Sequence, residues 1–125
     1  MIKNELDKSI ENVCDLNYLS ETMGGKKHLI KEIMDIFLEQ VPEELKSIDD
    51  AIKKTDYAII KSFAHTMKSS VSIMGISILM PILQEMETLG AKAADIEKIK
   101  ELNQKLNLIC KQAIEEIERE KHNYV

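Results

Sequence analysis

Apolar residues recur at steps of three and four through four long stretches of this chain, and no alternating strand pattern competes with them. A stripe of that period lies along one face of an α-helix, so each stretch must be buried against a neighbour. Four such helices joined by short linkers are antiparallel neighbours, and an up-down-up-down bundle buries all four stripes at once. The expected fold is therefore an all-α four-helix bundle, with one or two additional short helices at the N-terminus.

The punctuation fits. Asp15 is a good N-cap for a short helix through Met23, stopped by Gly24-Gly25. The next helix runs from about Lys26 to Gln40, with Ile30, Ile33, Phe37 and Val41 inward. Pro42 suits the first turn of a further helix carrying Leu45, Ile48 and Ile52 to about Lys54, or a kink within one long helix. Asp56 caps a central helix from Tyr57 to about Met74, ended by Gly75, with the stripe Ile60, Phe63, Ala64, Met67, Val71 and Met74. A helix from about Ser77 to Leu89 presents Leu79, Leu83 and Met86 and stops at Gly90. Pro81 predicts a bend or a late start there. Asp95 caps the last helix, which carries Ile99, Leu102, Leu106, Ile109, Ala113 and Ile117 and frays near Lys121. Ile2, Leu6, Ile10 and Val13 have helical spacing too, but weakly. Residues 1–125 read as a single domain, with the bundle over about 26–120 and 1–14 frayed or extended.

The net charge of −5 argues against nucleic acid as the main partner, since phosphate binding needs clustered Lys and Arg. No run of about 18 apolar residues occurs, so no membrane insertion is expected, and the polar N-terminus lacks a signal-peptide core. Cys14 and Cys110 have no CxxC spacing and read as reduced thiols of a cytoplasmic protein. A bundle of helices with single stripes can be complete as a monomer.

On the central helix, Lys61, His65, Lys68, Ser69 and Ser72 form a polar ridge beside the apolar stripe. His65 should stand at the surface in the middle of a rigid helix. An exposed histidine on a solvated face is the commoner meaning of such a residue. Here a lysine lies one turn on, and small serines leave the ring open to a bulky partner. Imidazole is a good nucleophile near neutral pH, and an adjacent ammonium can neutralise phosphoryl oxygens. Phosphoryl transfer asks a protein mainly for position and charge stabilisation.

The segment Phe63-Ala64-His65-Thr66-Met67-Lys68-Ser69-Ser70 with Gly75 resembles the signature of histidine-containing phosphotransfer (HPt) domains. That signature reads His, any residue, an apolar residue, Lys, Gly, with a second Gly ten residues after the His. Leu79 and Met86-Glu87 are similar to its downstream part, and Leu29-Ile30 with Phe37-Leu38-Glu39-Gln40-Val41-Pro42 to its upstream part. The resemblance implies that His65 is phosphorylated through its outer ring nitrogen and that Lys68 helps hold the phosphoryl group. It puts Gln84 and Glu87 where family members place polar groups that bond or orient the histidine; a solvated helix face is the plainer alternative for both. It further implies a carrier rather than an enzyme, without cofactor, exchanging phosphoryl groups with response-regulator receiver domains that bring Mg2+. A hybrid sensor histidine kinase would act upstream, directly or in the same polypeptide. Ser69 departs from the family's usual Gly and bears on partner choice. Lys61 and Ser72 belong to the docking ridge. No P-loop is present, so autophosphorylation from ATP is not expected.

Two other readings compete: an interaction bundle that docks receiver domains without transfer, and a bundle binding a metal or small molecule. His28 and His122 do not pair with His65 at metal-ligand spacing, and no Glu-x-x-His occurs. Ser69, Ser70 and Ser72 lack an Asp placed in this helix to orient His65 as their base. The run from Glu115-Glu116 to Lys121 reads as a solvated face.

Overall fold

The computed structural model describes residues 12–124. Five helices follow in order: α1 (Leu16–Thr22), α2 (Lys27–Lys53), α3 (Tyr57–Ile73), α4 (Leu79–Lys92) and α5 (Ile96–Glu120). A 3-10 turn, Lys121–Tyr124, closes the described chain, where the sequence suggested fraying. Helices α2 to α5 form the four-helix bundle, and α1 packs across its end. The expected helix through Ile2, Leu6 and Ile10 lies outside the described residues.

Three aspartates start three helices by the same device. The Tyr18 N–H donates to Asp15 Oδ1 at 3.0 Å, the Ile59 N–H to Asp56 Oδ1 at 3.2 Å, and the Lys98 N–H to Asp95 Oδ1 at 3.2 Å. Each satisfies an amide that the first helical turn leaves unpaired, which stabilises by about 1 kcal/mol. The apolar stripes then meet in one core. Ile30, Met34, Ile48, Ile60, Met67, Leu83, Met86 and Ile99 are among its fully buried members.

Pro42 does not divide α2, which is one helix of 27 residues. The proline lies on the exposed side, where water can replace the donor it lacks. Pro81 is the third residue of α4, where its missing N–H would have no intrahelical partner, and the helix starts late at Leu79.

The expected stop of α4 at Gly90 is corrected. The helix continues to Lys92, and Gly90 is buried within it. A Cβ there would lie 3.0 Å from both the backbone nitrogen and the Cβ of Lys61, so α3 and α4 approach closely at Gly90. The turn is made by Ala93, whose φ of 52° is left-handed. Alanine adopts that region at a cost of roughly 1 kcal/mol, which is why nothing in the sequence marked the position.

The acidic run near the C-terminus also needs correction. Glu116 is buried at 4% exposure. Its carboxylate accepts from the backbone N–H of Val13 at 2.6 Å and of Cys14 at 3.0 Å, tying the segment before α1 to α5. Asp15 N–H then donates to the Met74 carbonyl at 3.2 Å. Gly75 permits this approach: its φ is +70°, and a Cβ would fall 2.6 Å from the Cβ of Asp15. Cys14 and Cys110 are free thiols. Burial pushes both up, Cys110 to about 12, so neither is a ready thiolate.

Two substitutions test these turns in opposite directions. Gly75→Ala should lower the unfolding free energy by roughly 2 kcal/mol or more, from left-handed strain plus the clash with Asp15. Ala93→Gly should raise it by about 0.5 kcal/mol. Urea denaturation monitored by circular dichroism checks both.

Candidate functional site

Helices α3 and α4 run antiparallel with their contact fixed at Lys61 and Gly90. One register follows along the seam. His65 lies opposite Glu87, Lys68 opposite Gln84, and Ser72 shares a notch with Met80. The polar ridge read on α3 thus faces a second polar ridge on α4, and their side chains interlock.

Glu87 is the centre of the cluster. Its Oε2 lies 2.9 Å from His65 Nδ1, and its Oε1 lies 2.6 Å from the Lys68 ammonium. The second contact is an ion pair off the line of a good hydrogen bond. Lys68 also donates to Gln84 Oε1 at 2.9 Å, and the Gln84 amide donates to Thr88 Oγ1 at 3.3 Å. The Glu87 side chain is 18% exposed and that of Lys68 20%, whereas the His65 ring is 68% exposed. A rigid, sheltered pair therefore holds an open imidazole.

The electrostatics fix the ring's chemistry. The Lys68 ammonium, 2.6 Å from Oε1, holds the Glu87 carboxyl below its ordinary 4.5; partial desolvation opposes this, and the contact with His65 adds to it. Glu87 is thus ionised near neutral pH and can only accept. His65 must then carry its proton on Nδ1 when neutral, which leaves the Nε2 lone pair free. An exposed ring with one nitrogen anchored and the other bare has the geometry a nucleophile needs.

Of the residues singled out in the sequence, His65, Lys68, Gln84 and Glu87 meet in one network. Lys61, Ser69 and Ser72 are exposed along the same ridge and take no part in its hydrogen bonds or ion pairs. Thr88 was missed, although its place four residues after Gln84 put it on the same face of α4. His28, in the first turn of α2, and His122, in the 3-10 turn, are exposed and outside the cluster. Among the described residues no group of three or more His, Cys, Asp or Glu is placed to hold a metal ion, and no helix is long and apolar enough to cross a membrane.

Residues 32–120 match the family model of the Hpt domain. The chain belongs to the Hpt domain family. Hpt domains are phosphoryl carriers rather than enzymes in the usual sense, carry no cofactor of their own, and pair with receiver domains of two-component systems. The fold is similar to that of the histidine-containing phosphotransfer protein B (HptB) of Pseudomonas aeruginosa PAO1, with a TM-score of 0.81 at 19% identity, covering 90% of this chain and 96% of that one. No curated protein matches the chain at a significant level.

The shared carboxylate makes a measurable claim. In a carbon-13 titration, the Glu87 carboxyl should have its midpoint below 4.5, and Lys68→Ala should move it upward. A carboxyl depressed by folding adds stability that is present above its unfolded pKa and lost as pH falls through the depressed value. Lys68→Ala should therefore weaken the loss of stability as the pH falls below the ordinary carboxyl value of 4.5, read by chemical denaturation.

Proposed function

We propose that His65 carries the phosphoryl group in a phosphorelay, taking it from the aspartyl phosphate of one receiver domain and passing it to another. The observation that carries this reading is the contact between His65 Nδ1 and Glu87 Oε2 on a ring that is otherwise open, in a chain of this family.

In the proposed transfer, His65 Nε2 attacks phosphorus as the bond from phosphorus to the aspartyl oxygen breaks. The carboxylate leaves on the receiver, and the imidazole becomes a phosphoimidazole whose Nδ1 proton stays bonded to Glu87. The positive charge that builds on the ring is met by that carboxylate, which needs no reorganisation because it is already in place. Return transfer to a second receiver reverses the bond changes. The receiver supplies Mg2+ and acidic side chains, and this chain supplies the nucleophile.

Lys68 has a second task in this scheme. Its ammonium is held by Glu87 and Gln84 before transfer. Phosphoryl oxygens arriving on Nε2 compete for it, and a flexible stem lets it turn outward without moving α3. Glu87 is then left to His65 alone. Ser69, one turn from His65, faces the incoming domain, and its hydroxyl where the family usually has Gly bears on which receivers dock. Gln84 and Thr88 position Lys68. The carrier works as a monomer in the cytoplasm, with a hybrid sensor kinase upstream.

Incubation with phosphorylated receiver domains tests the reading. Acid-labile, base-stable label should appear on the wild-type chain and be absent from His65→Gln. Glu87→Ala should slow transfer by roughly ten- to a hundredfold, the usual effect of removing a partner that orients a histidine. If His65→Gln accepts label as well as wild type, the carrier residue is another one. If wild type takes none from its cognate receivers while still binding them, the chain is a docking module without transfer.

A further inference from the structure

Lys61 stands one turn before His65 on α3, about 6 Å along the axis. It is exposed and forms no hydrogen bond or ion pair with another described residue. On α4 the residue against it is Gly90, which has no side chain that could bond the ammonium. Lys68, three residues after His65, is in the contrary state: half-buried, paired with Glu87 and donating to Gln84. Two lysines therefore flank the imidazole on one ridge, one committed and one free.

We infer that Lys61 is a second cation for the phosphoryl group, and that its ammonium binds the oxygens carried on His65 Nε2. The inference rests on the carrier reading above. Helical side chains lean toward the N-terminus of their helix, so the His65 ring overhangs the turn that carries Lys61. Nδ1 is held at Glu87, and Nε2 is the nitrogen left open to solvent. A group bound there lies within reach of a flexible four-carbon stem rooted one turn away.

The charges of the cluster call for more than Lys68. Before transfer, with His65 neutral, the Lys68 ammonium and the Glu87 carboxylate cancel. Transfer moves a formal PO3− unit from the aspartyl oxygen to Nε2. The new bond uses the nitrogen lone pair, and the electrons of the old bond stay with the carboxylate that leaves. One surplus negative charge then remains on the cluster, whether Lys68 stays on Glu87 or turns to the phosphoryl oxygens. Lys61 restores neutrality, and no existing ion pair has to be broken for it to do so. An exposed lysine also attracts a receiver's acidic pocket, and equilibrium separates the two roles. A contact changes an equilibrium only if it differs between the two end states. A contact made only while the proteins are docked alters the rates in both directions alike, whereas one made to the bound phosphoryl group favours the phosphorylated carrier.

The test mixes the full chain with receiver domains encoded in the same genome, too dilute to remain in complex, and measures labelled phosphate on each at equilibrium. Lys61→Ala should shift label toward the receiver by roughly three- to tenfold, the range expected of a charge-assisted contact at a surface. Lys61→Arg keeps the charge and should stay within about twofold of wild type. Lys46→Ala removes an equal charge from an exposed position on α2 and should leave the ratio unchanged. Circular dichroism melts check that the substitutions leave the bundle folded. In a second measurement, phosphoramidate phosphorylates the chain without any receiver, in a background of His28→Gln and His122→Gln so that His65 alone is loaded. The phosphorus-31 titration midpoint of the phosphoryl group should rise on adding Lys61→Ala, because loss of a nearby cation disfavours the more charged form. If Lys61→Ala changes the rates but keeps both the ratio and the midpoint, or if Lys46→Ala shifts the ratio as far, Lys61 does not hold the phosphoryl group and the carrier reading stands without it. Complete absence of transfer to wild type would instead overturn the carrier reading, and this role of Lys61 with it.

Discussion

The close approach of Gly90 to the backbone of Lys61 governs the site. With no side chain between them, α3 and α4 come together at one end and stay in contact along their length. That contact sets the register, and the register sets which side chains face across the seam. A shift of one residue on α4 would turn Glu87 about 100° away from His65. Nothing in the short motif around His65 could prevent this, because the restraint lies twenty-five residues downstream. The reactive ring is thus positioned by helix packing, and its own helix needs only to present it.

Glu87 then ties three functions to one carboxylate. It anchors the ring, leaves Nε2 as the free nitrogen, and, in the proposed transfer, stores the lysine that phosphoryl oxygens would later claim. These would conflict if the group were fully buried, since removing an ion pair from water costs several kcal/mol per charge. They would fade if it were fully exposed, where such pairs contribute little. At 18% exposure the carboxylate is sheltered enough to be ordered, and in the proposed transfer a phosphoryl group could still reach the lysine from outside. Gln84 and Thr88 limit where Lys68 can rest in the meantime.

The helices and their N-caps were legible because the signals are local. An aspartate before an apolar period needs only the next three residues to act, and Asp15, Asp56 and Asp95 all cap as read. His65, Lys68, Gln84 and Glu87 could be named from helical phase and family likeness, and they do meet. What escaped reading depends on partners distant in the chain. Gly90 looks like a helix stop until the backbone of Lys61 is seen against it. Glu116 looks like part of a solvated charged run until its carboxylate is found taking the amides of Val13 and Cys14, about a hundred residues away. Ala93 carries no mark of its left-handed backbone, because alanine is not a residue that favours that region.

The net charge of −5 sets a final condition on the surface. A receiver's phosphorylation pocket is itself acidic, so long-range attraction does not bring the two together, and at physiological salt it would be screened beyond about 8 Å. Within that distance Lys68 is already committed to Glu87, and Lys61, one turn before His65, is the exposed lysine of the ridge outside that network. In the proposed relay, attraction to a receiver therefore rests on a local cation such as Lys61 and not on the net charge. In the proposed relay the contact energy must also be small enough to let the partners separate after each transfer.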